Sequence, residues 1–169
     1  MISRPFATMC LLLLACVGAP RAFAANECTV VGPASGVNFG TYDTASGTAV
    51  TAIGTSITVA CTGNRTVTFE LGSGGGSITS RYMTTGLPGS DLLYYNLYLE
   101  PANVTIFGTT GVGGTAATCT TGVNTTACMG DNPTGSDKLA QRRIYGLIPA
   151  GQNVGAGTYT DTITYTVTF

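Results

Sequence analysis

Four cysteines, Cys28, Cys61, Cys119 and Cys128, are the residues of this chain most able to do chemistry. An even set in an exported domain points to disulfides, and four cysteines allow three pairings. Closeness in sequence favours Cys119 with Cys128, which would close a small polar loop, and leaves Cys28 for Cys61. Chain entropy assigns roughly 2.6 kcal/mol to the shorter loop and roughly 3.7 kcal/mol to the longer one. The same four thiolates could hold zinc, but there is no C-x-x-C pair and no histidine, so the spacing argues against a metal centre. Without histidine neither a Ser-His nor a Cys-His nucleophile pair can be assembled. A glycosidase needs two facing carboxylates. Asp43, Glu70, Glu100 and Asp161 are scattered and lack a flanking aromatic platform. Asp131, Asn132 and Asp137 offer oxygens to calcium without a recognised loop spacing, and Arg142-Arg143 reads as a solvated pair. No catalytic residue, cofactor or metal is expected, and the chain reads as a non-enzymatic protein.

The oxidising setting that disulfides need is supplied by the N-terminus. Arg4 precedes an apolar run through Cys10, Leu11 to Leu14 and Val17, followed by Gly18-Ala19-Pro20 and then Ala22-Phe23-Ala24. That order is a charged region, a short apolar region and a small-x-small cleavage site, so residues 1–24 are expected to be a secretory signal removed after Ala24, carrying away Cys10 and Cys16. The run is too short to span a bilayer. Leu13-Leu14-Ala15-Cys16 resembles a lipoprotein box that would lipidate Cys16, but leucine two positions before the cysteine fits that pattern poorly. Losing Arg4 and Arg21 leaves five of the seven basic residues against eight acids, a formal net charge of minus three on residues 25–169. Nucleic acid, whose phosphates need a basic face, is not an expected partner. About 145 residues suit one domain.

The elements that must position the cysteines are short and alternating. Ile57, Val59 and Cys61 fall on one face of a strand, as do Val67, Phe69 and Leu71 of the next, and glycines 72 and 74–76 end that pattern. Leu92 to Leu99 is apolar on both faces and is expected to be covered on both. Ile144 to Ile148 is a further strand, halted by Pro149-Ala150-Gly151. Gly108 to Gly135 is polar and lacks strand periodicity, so it reads as a long loop, and Leu139 to Arg143 is the one stretch where a short helix could hide. From Thr162 onward threonine alternates with Ile163, Tyr165, Val167 and Phe169. A strand running to that end is expected to be an open edge, offering unpaired backbone and an apolar row to a partner strand. Strands at this spacing between turns read as an all-β sandwich.

Several segments, in order, carry a resemblance. They are Gly36-Val37-Asn38-Phe39-Gly40-Thr41-Tyr42-Asp43, Arg81-Tyr82-Met83, Leu93-Tyr94-Tyr95-Asn96-Leu97-Tyr98, Ile106-Phe107-Gly108, Tyr145 through Asn153, and Gly157-Thr158-Tyr159-Thr160-Asp161-Thr162. Together they resemble the spore coat protein U domain, a family that includes subunits of archaic chaperone-usher pili. The likeness runs from about Cys28 to Phe169. Phe107 stands where the family commonly has tryptophan, and the Cys119 to Cys128 loop looks like an insertion.

The resemblance implies an immunoglobulin-like, pilin-type β-sandwich lacking its final strand. A periplasmic pilus chaperone supplies that strand first, and another pilin subunit supplies it later as an outer-membrane usher assembles the fibre. On this reading Ile163, Tyr165 and Val167 help to line the acceptor groove, and Phe169 ends the strand that the chaperone anchors. Only Ala25, Asn26 and Glu27 lie between the expected cleavage site and Cys28, a reach of about 10 Å. The chain is therefore expected to accept a strand rather than donate one, at the distal tip of any fibre it joins. The expected route is the periplasm, then the cell surface. The alternative is a secreted spore or cell coat protein whose sandwich is complete in itself.

Overall fold

The structure, a computed structural model, describes residues 27–31, 36–125, 128–129 and 137–169. The expected secretory segment 1–24, with Cys10 and Cys16, and the loop residues Asp131 and Asn132 lie outside the described residues. Among the described residues ten strands follow in chain order: β1 (Cys28–Val31), β2 (Val50–Ile53), β3 (Ile57–Thr62), β4 (Thr66–Leu71), β5 (Arg81–Met83), β6 (Leu93–Tyr98), β7 (Ala117–Thr120), β8 (Asp137–Arg142), β9 (Tyr145–Ile148) and β10 (Tyr165–Thr168). They form three antiparallel sheets in the orders β1-β3-β8, β10-β4-β7 and β2-β9-β6-β5.

The two-residue period fixes which side chains meet. Ile57, Val59 and Cys61 of β3, Val67, Phe69 and Leu71 of β4, and Leu93, Tyr95 and Leu97 of β6 all turn into one shared core, completed by Phe107, Ala117, Cys119, Ala140 and Ile148. This is the β-sandwich that the spacing of strands and turns implied, immunoglobulin-like as the resemblance implied. Three local expectations change. Leu139 to Arg143 contains no helix, because Leu139 to Arg142 belong to β8, paired to β3 with Val59 opposite Ala140. The stretch from Gly108 holds a strand, β7, whose Ala117 and Cys119 are buried against β4. Its small and polar residues hid a real alternation. Leu92 and Tyr94 are 38% and 43% exposed, so the apolar run of β6 is covered on one face only at its start.

Arg81 is fully buried at the start of β5. A guanidinium carries five N–H groups in a fixed fork, and all are used. Nε and Nη2 donate to the Gly72 carbonyl (3.1 and 2.8 Å), Nη2 also to that of Phe107 (2.9 Å), and Nη1 to that of Ile78 (3.2 Å) and to Asn96 Oδ1 (2.5 Å). One side chain therefore ties together the end of β4, the loop before β5, β6 and the segment after it. Burial lowers its pKa from the ordinary arginine value, with nearby Tyr95 and Asp161 acting in the opposite sense. The surrounding carbonyls are satisfied by this group, so deleting it orphans several buried acceptors at about 1–3 kcal/mol each. Arg81→Leu should lower stability by at least about 3 kcal/mol, read as a reduced urea midpoint. An unchanged midpoint would show that the guanidinium is dispensable.

Candidate functional site

A cavity of about 1090 Å³ lies between two stretches of chain that, among the described residues, form no ladder across it. Its floor is core: Ile57, Leu71, Met83, Leu93, Tyr95, Leu97, Ile144 and Ile148. One wall is residues 36–44, of which 36–43 pair with no strand. The other is residues 154–161 with Ile163 and Tyr165, leading into β10. A second cavity of about 540 Å³ is lined by Glu27, Cys28, Thr29, Arg65 and Phe169. The start of β1 thus faces the end of β10, while 36–44 faces the approach to β10, so the two walls run in opposite directions. β1 and β10 each end a sheet, paired on one side only, to β3 and to β4.

Each wall is positioned by a different device. Val37 and Phe39 lie where two glycines clear space, because a Cβ on Gly54 would stand 2.7 Å from Val37 and one on Gly146 would stand 2.6 Å from Phe39. The Phe39 ring then meets Tyr95 edge-on at 5.7 Å. Tyr42 hydroxyl donates to the Pro149 carbonyl (3.1 Å) and accepts from Gln152 N–H (2.8 Å). The Gln152 side chain in turn accepts from Tyr94 N–H (2.7 Å) and donates to its carbonyl (2.8 Å), imitating one rung of a ladder on β6. At the other end Cys28 is bonded to Cys61, its direct cross-strand neighbour, clamping β1 to β3. The opposite wall is held by mutual bonds between Thr84 and Thr160 (3.1 and 2.9 Å), by Gly72 N–H on the Thr164 carbonyl (2.8 Å), and by Asp161. That carboxylate accepts from Tyr95 hydroxyl (2.6 Å), Gly75 N–H (2.9 Å) and its own neighbour's N–H at Thr162 (2.7 Å).

The alternating row near Phe169 divides between these features. Ile163, Tyr165 and Val167 are half-buried and pack on the core, the threonines between them are exposed, and Ile163 and Tyr165 line the large cavity. Phe169 is 57% exposed and borders the smaller one. The second disulfide, Cys119–Cys128, joins β7 to the following loop, which also bridges to β8 through Met129 and Gln141. The scattered carboxylates make separate contacts: Asp43 and Glu100 close local turns, accepting from Ala45 N–H and from Val104 and Thr105 N–H, while Glu70 of β4 accepts from the distant Thr110 N–H. Asp137 begins β8. Arg142 is not solvated as its doublet suggested. It is 4% exposed, lies 6.0 Å from the centre of the Phe107 ring and donates to the Leu99 carbonyl. Sequence reasoning missed the 36–44 wall. The Val37-x-Phe39 alternation was visible, but nothing in one sequence told that it lies over Gly54 and Gly146.

A groove floored by apolar side chains and walled by two stretches that form no ladder across it is suited to hold an extended strand. The family profile of the Spore Coat Protein U domain matches residues 14–166, and the chain belongs to that family. Protein U of Myxococcus xanthus is 32% identical over 157 residues, covering 85% of this chain and 78% of that protein. Among solved structures, the pre-assembly complex of CsuC and CsuE, chaperone and tip adhesion subunit of the archaic chaperone-usher Csu pili of Acinetobacter baumannii, contains a similar fold. The TM-score is 0.54 at 22% identity, over 85% of this chain and 40% of that one. The present chain thus spans two-fifths of the length of that solved chain.

Tyr95, on the groove floor, has its pKa raised well above the ordinary tyrosine value of 10.0, first by burial and then by its bond to Asp161. The unfolded phenol ionises near that ordinary value while the folded one keeps its proton, so the folded state binds more protons above it. Stability should be complete below about pH 10 and decline as pH rises further. Urea midpoints at about pH 8 and about pH 11 measure this, and Tyr95→Phe should flatten the decline. A slope equal in the two proteins would place its origin elsewhere.

Proposed function

We propose that this protein is an exported structural subunit of a chaperone-usher type of surface fibre, and that its groove accepts one β-strand from another molecule. The carrying observation is the cavity of about 1090 Å³ with core residues as its floor, bordered by chain that, among the described residues, forms no ladder across it. A sandwich complete in itself would fill that space with its own strand. The partners on this reading are a periplasmic chaperone, an outer-membrane usher and neighbouring subunits, and the destination is the cell surface. Family membership and the fold shared with the Csu pilus complex support it. The mature unit is proposed to be residues 25–169, released from the secretory segment 1–24.

Four or five aliphatic side chains inserted into the groove, at about 1.5–3 kcal/mol each, amount to on the order of 10 kcal/mol before ordering costs. That is comparable with the stability of a whole domain. A synthetic peptide of alternating valine and threonine, with lysine at each end for solubility, tests the reading by thermal unfolding. At a hundredfold excess over its dissociation constant it should raise Tm by roughly 5–10 °C. A peptide with the same composition in scrambled order should not. No shift with either would favour a self-sufficient coat protein.

A further inference from the structure

We propose that Asp161 and Tyr95 form a latch that holds the groove open while it is empty, so that the pair sets how fast a strand can be inserted. This rests on the strand-acceptor reading above and adds to it a rate-determining device in the subunit itself.

The wall leading into β10 has a structural problem. Its ladder with β4 covers only Tyr165 to Thr168, and upstream Ile163 and Tyr165 face an apolar hollow. Apolar walls around an unfilled space gain by closing on it. Of the anchors that resist closure, Asp161 alone joins the wall both to the groove floor, through Tyr95 hydroxyl, and to the loop beyond β4, through Gly75 N–H. The loop is shaped for that carboxylate. Gly74 has a φ of +64°, and a Cβ there would fall 2.1 Å from the Asp161 carboxylate, so only glycine lets the loop wrap it. Gly75 and Gly76 meanwhile pack against Tyr82, where a Cβ would stand 2.9 Å from its carbonyl and 3.1 Å from its ring respectively. Arg81 adds a buried positive charge close enough for Asp161 to influence its titration, while its own five bonds all go to neutral oxygens. The glycine run and the lone acid that had no chemical partner in the sequence are thus two halves of one contact.

Once a strand is seated, its own ladder bonds hold the wall and the latch becomes redundant. The signature is therefore kinetic. Losing the latch lowers the fraction of empty subunits that are competent to bind, while the filled state is little altered. With a fluorescent derivative of the valine-threonine peptide, Tyr95→Phe, Asp161→Asn and Gly74→Ala should each lower the association rate roughly tenfold, the scale of a bond to a charged group. Dissociation should stay within about twofold of the unaltered protein. Tyr95→Phe combined with Asp161→Asn should cost no more than either alone. The Gly75 amide should also exchange hydrogen faster in the empty variants and at the unaltered rate in the filled ones.

Equal association rates in Tyr95→Phe and the unaltered protein would overturn the latch and leave the acceptor groove standing. So would variants whose empty and filled states lose stability alike, since that is plain structural damage. Failure of the unaltered protein to bind the peptide would remove the acceptor reading and the latch with it. If Asp161→Asn does not accumulate, Tyr95→Phe carries the test, because it keeps the ring on the floor and the carboxylate on Gly75.

Discussion

Every backbone amide in a sheet needs a partner and every inward apolar side chain needs cover, and among the described residues one seam of this fold leaves the first demand open. β1 and β10 each pair on one side only, and beside β10 lies a cavity whose floor, Ile57, Leu71, Met83, Leu93 and Ile148, is itself buried core. The rest of the molecule is arranged to tolerate that seam. Its flanks are fixed by contacts that do not depend on a strand between them: a disulfide at Cys28, glycine-seated side chains at Val37 and Phe39, a tyrosine clasp at Tyr42, and side-chain and loop bonds at Asp161 and Thr160.

A core with one open side needs rigidity from elsewhere. Arg81 provides much of it, because a fork of five donors fixes four carbonyl and amide oxygens at once, which an aliphatic residue of similar volume could not do. Arg142, 6.0 Å from the centre of the Phe107 ring and bonded to the Leu99 carbonyl, plays a smaller part. Acceptance of an added strand, as proposed, then needs little reordering of the protein, because the walls and floor of the groove are already held in place.

Much of the fold was legible from periodicity. Ile57-Val59-Cys61 and Val67-Phe69-Leu71 could only be one-faced strands, and glycine and proline marked their ends. The half-buried row at Ile163, Tyr165 and Val167 was equally plain, as was the pairing of cysteines that closeness favoured. What escaped was set by tertiary contact. Arg142 read as a solvated charge, and nothing local marked Arg81 for burial, because burial of an arginine depends on carbonyls contributed from distant segments. β7 escaped because Ala117 and Cys119 are small and lie among threonines. Asp161 read as an isolated acid because its partners, Tyr95 and Gly75, are 66 and 86 residues away. The 36–44 wall carries an alternating pattern yet forms no ladder, so its role depends on the vacancy beside it.

The most direct measurement is the structure of this protein isolated from cells that make it, together with whatever molecule accompanies it. The account predicts a strand from another polypeptide lying between residues 36–44 and the stretch from Asp161 to Thr168, its alternate side chains seated over Leu71, Met83 and Leu93. A monomer whose groove is closed by its own backbone would contradict it.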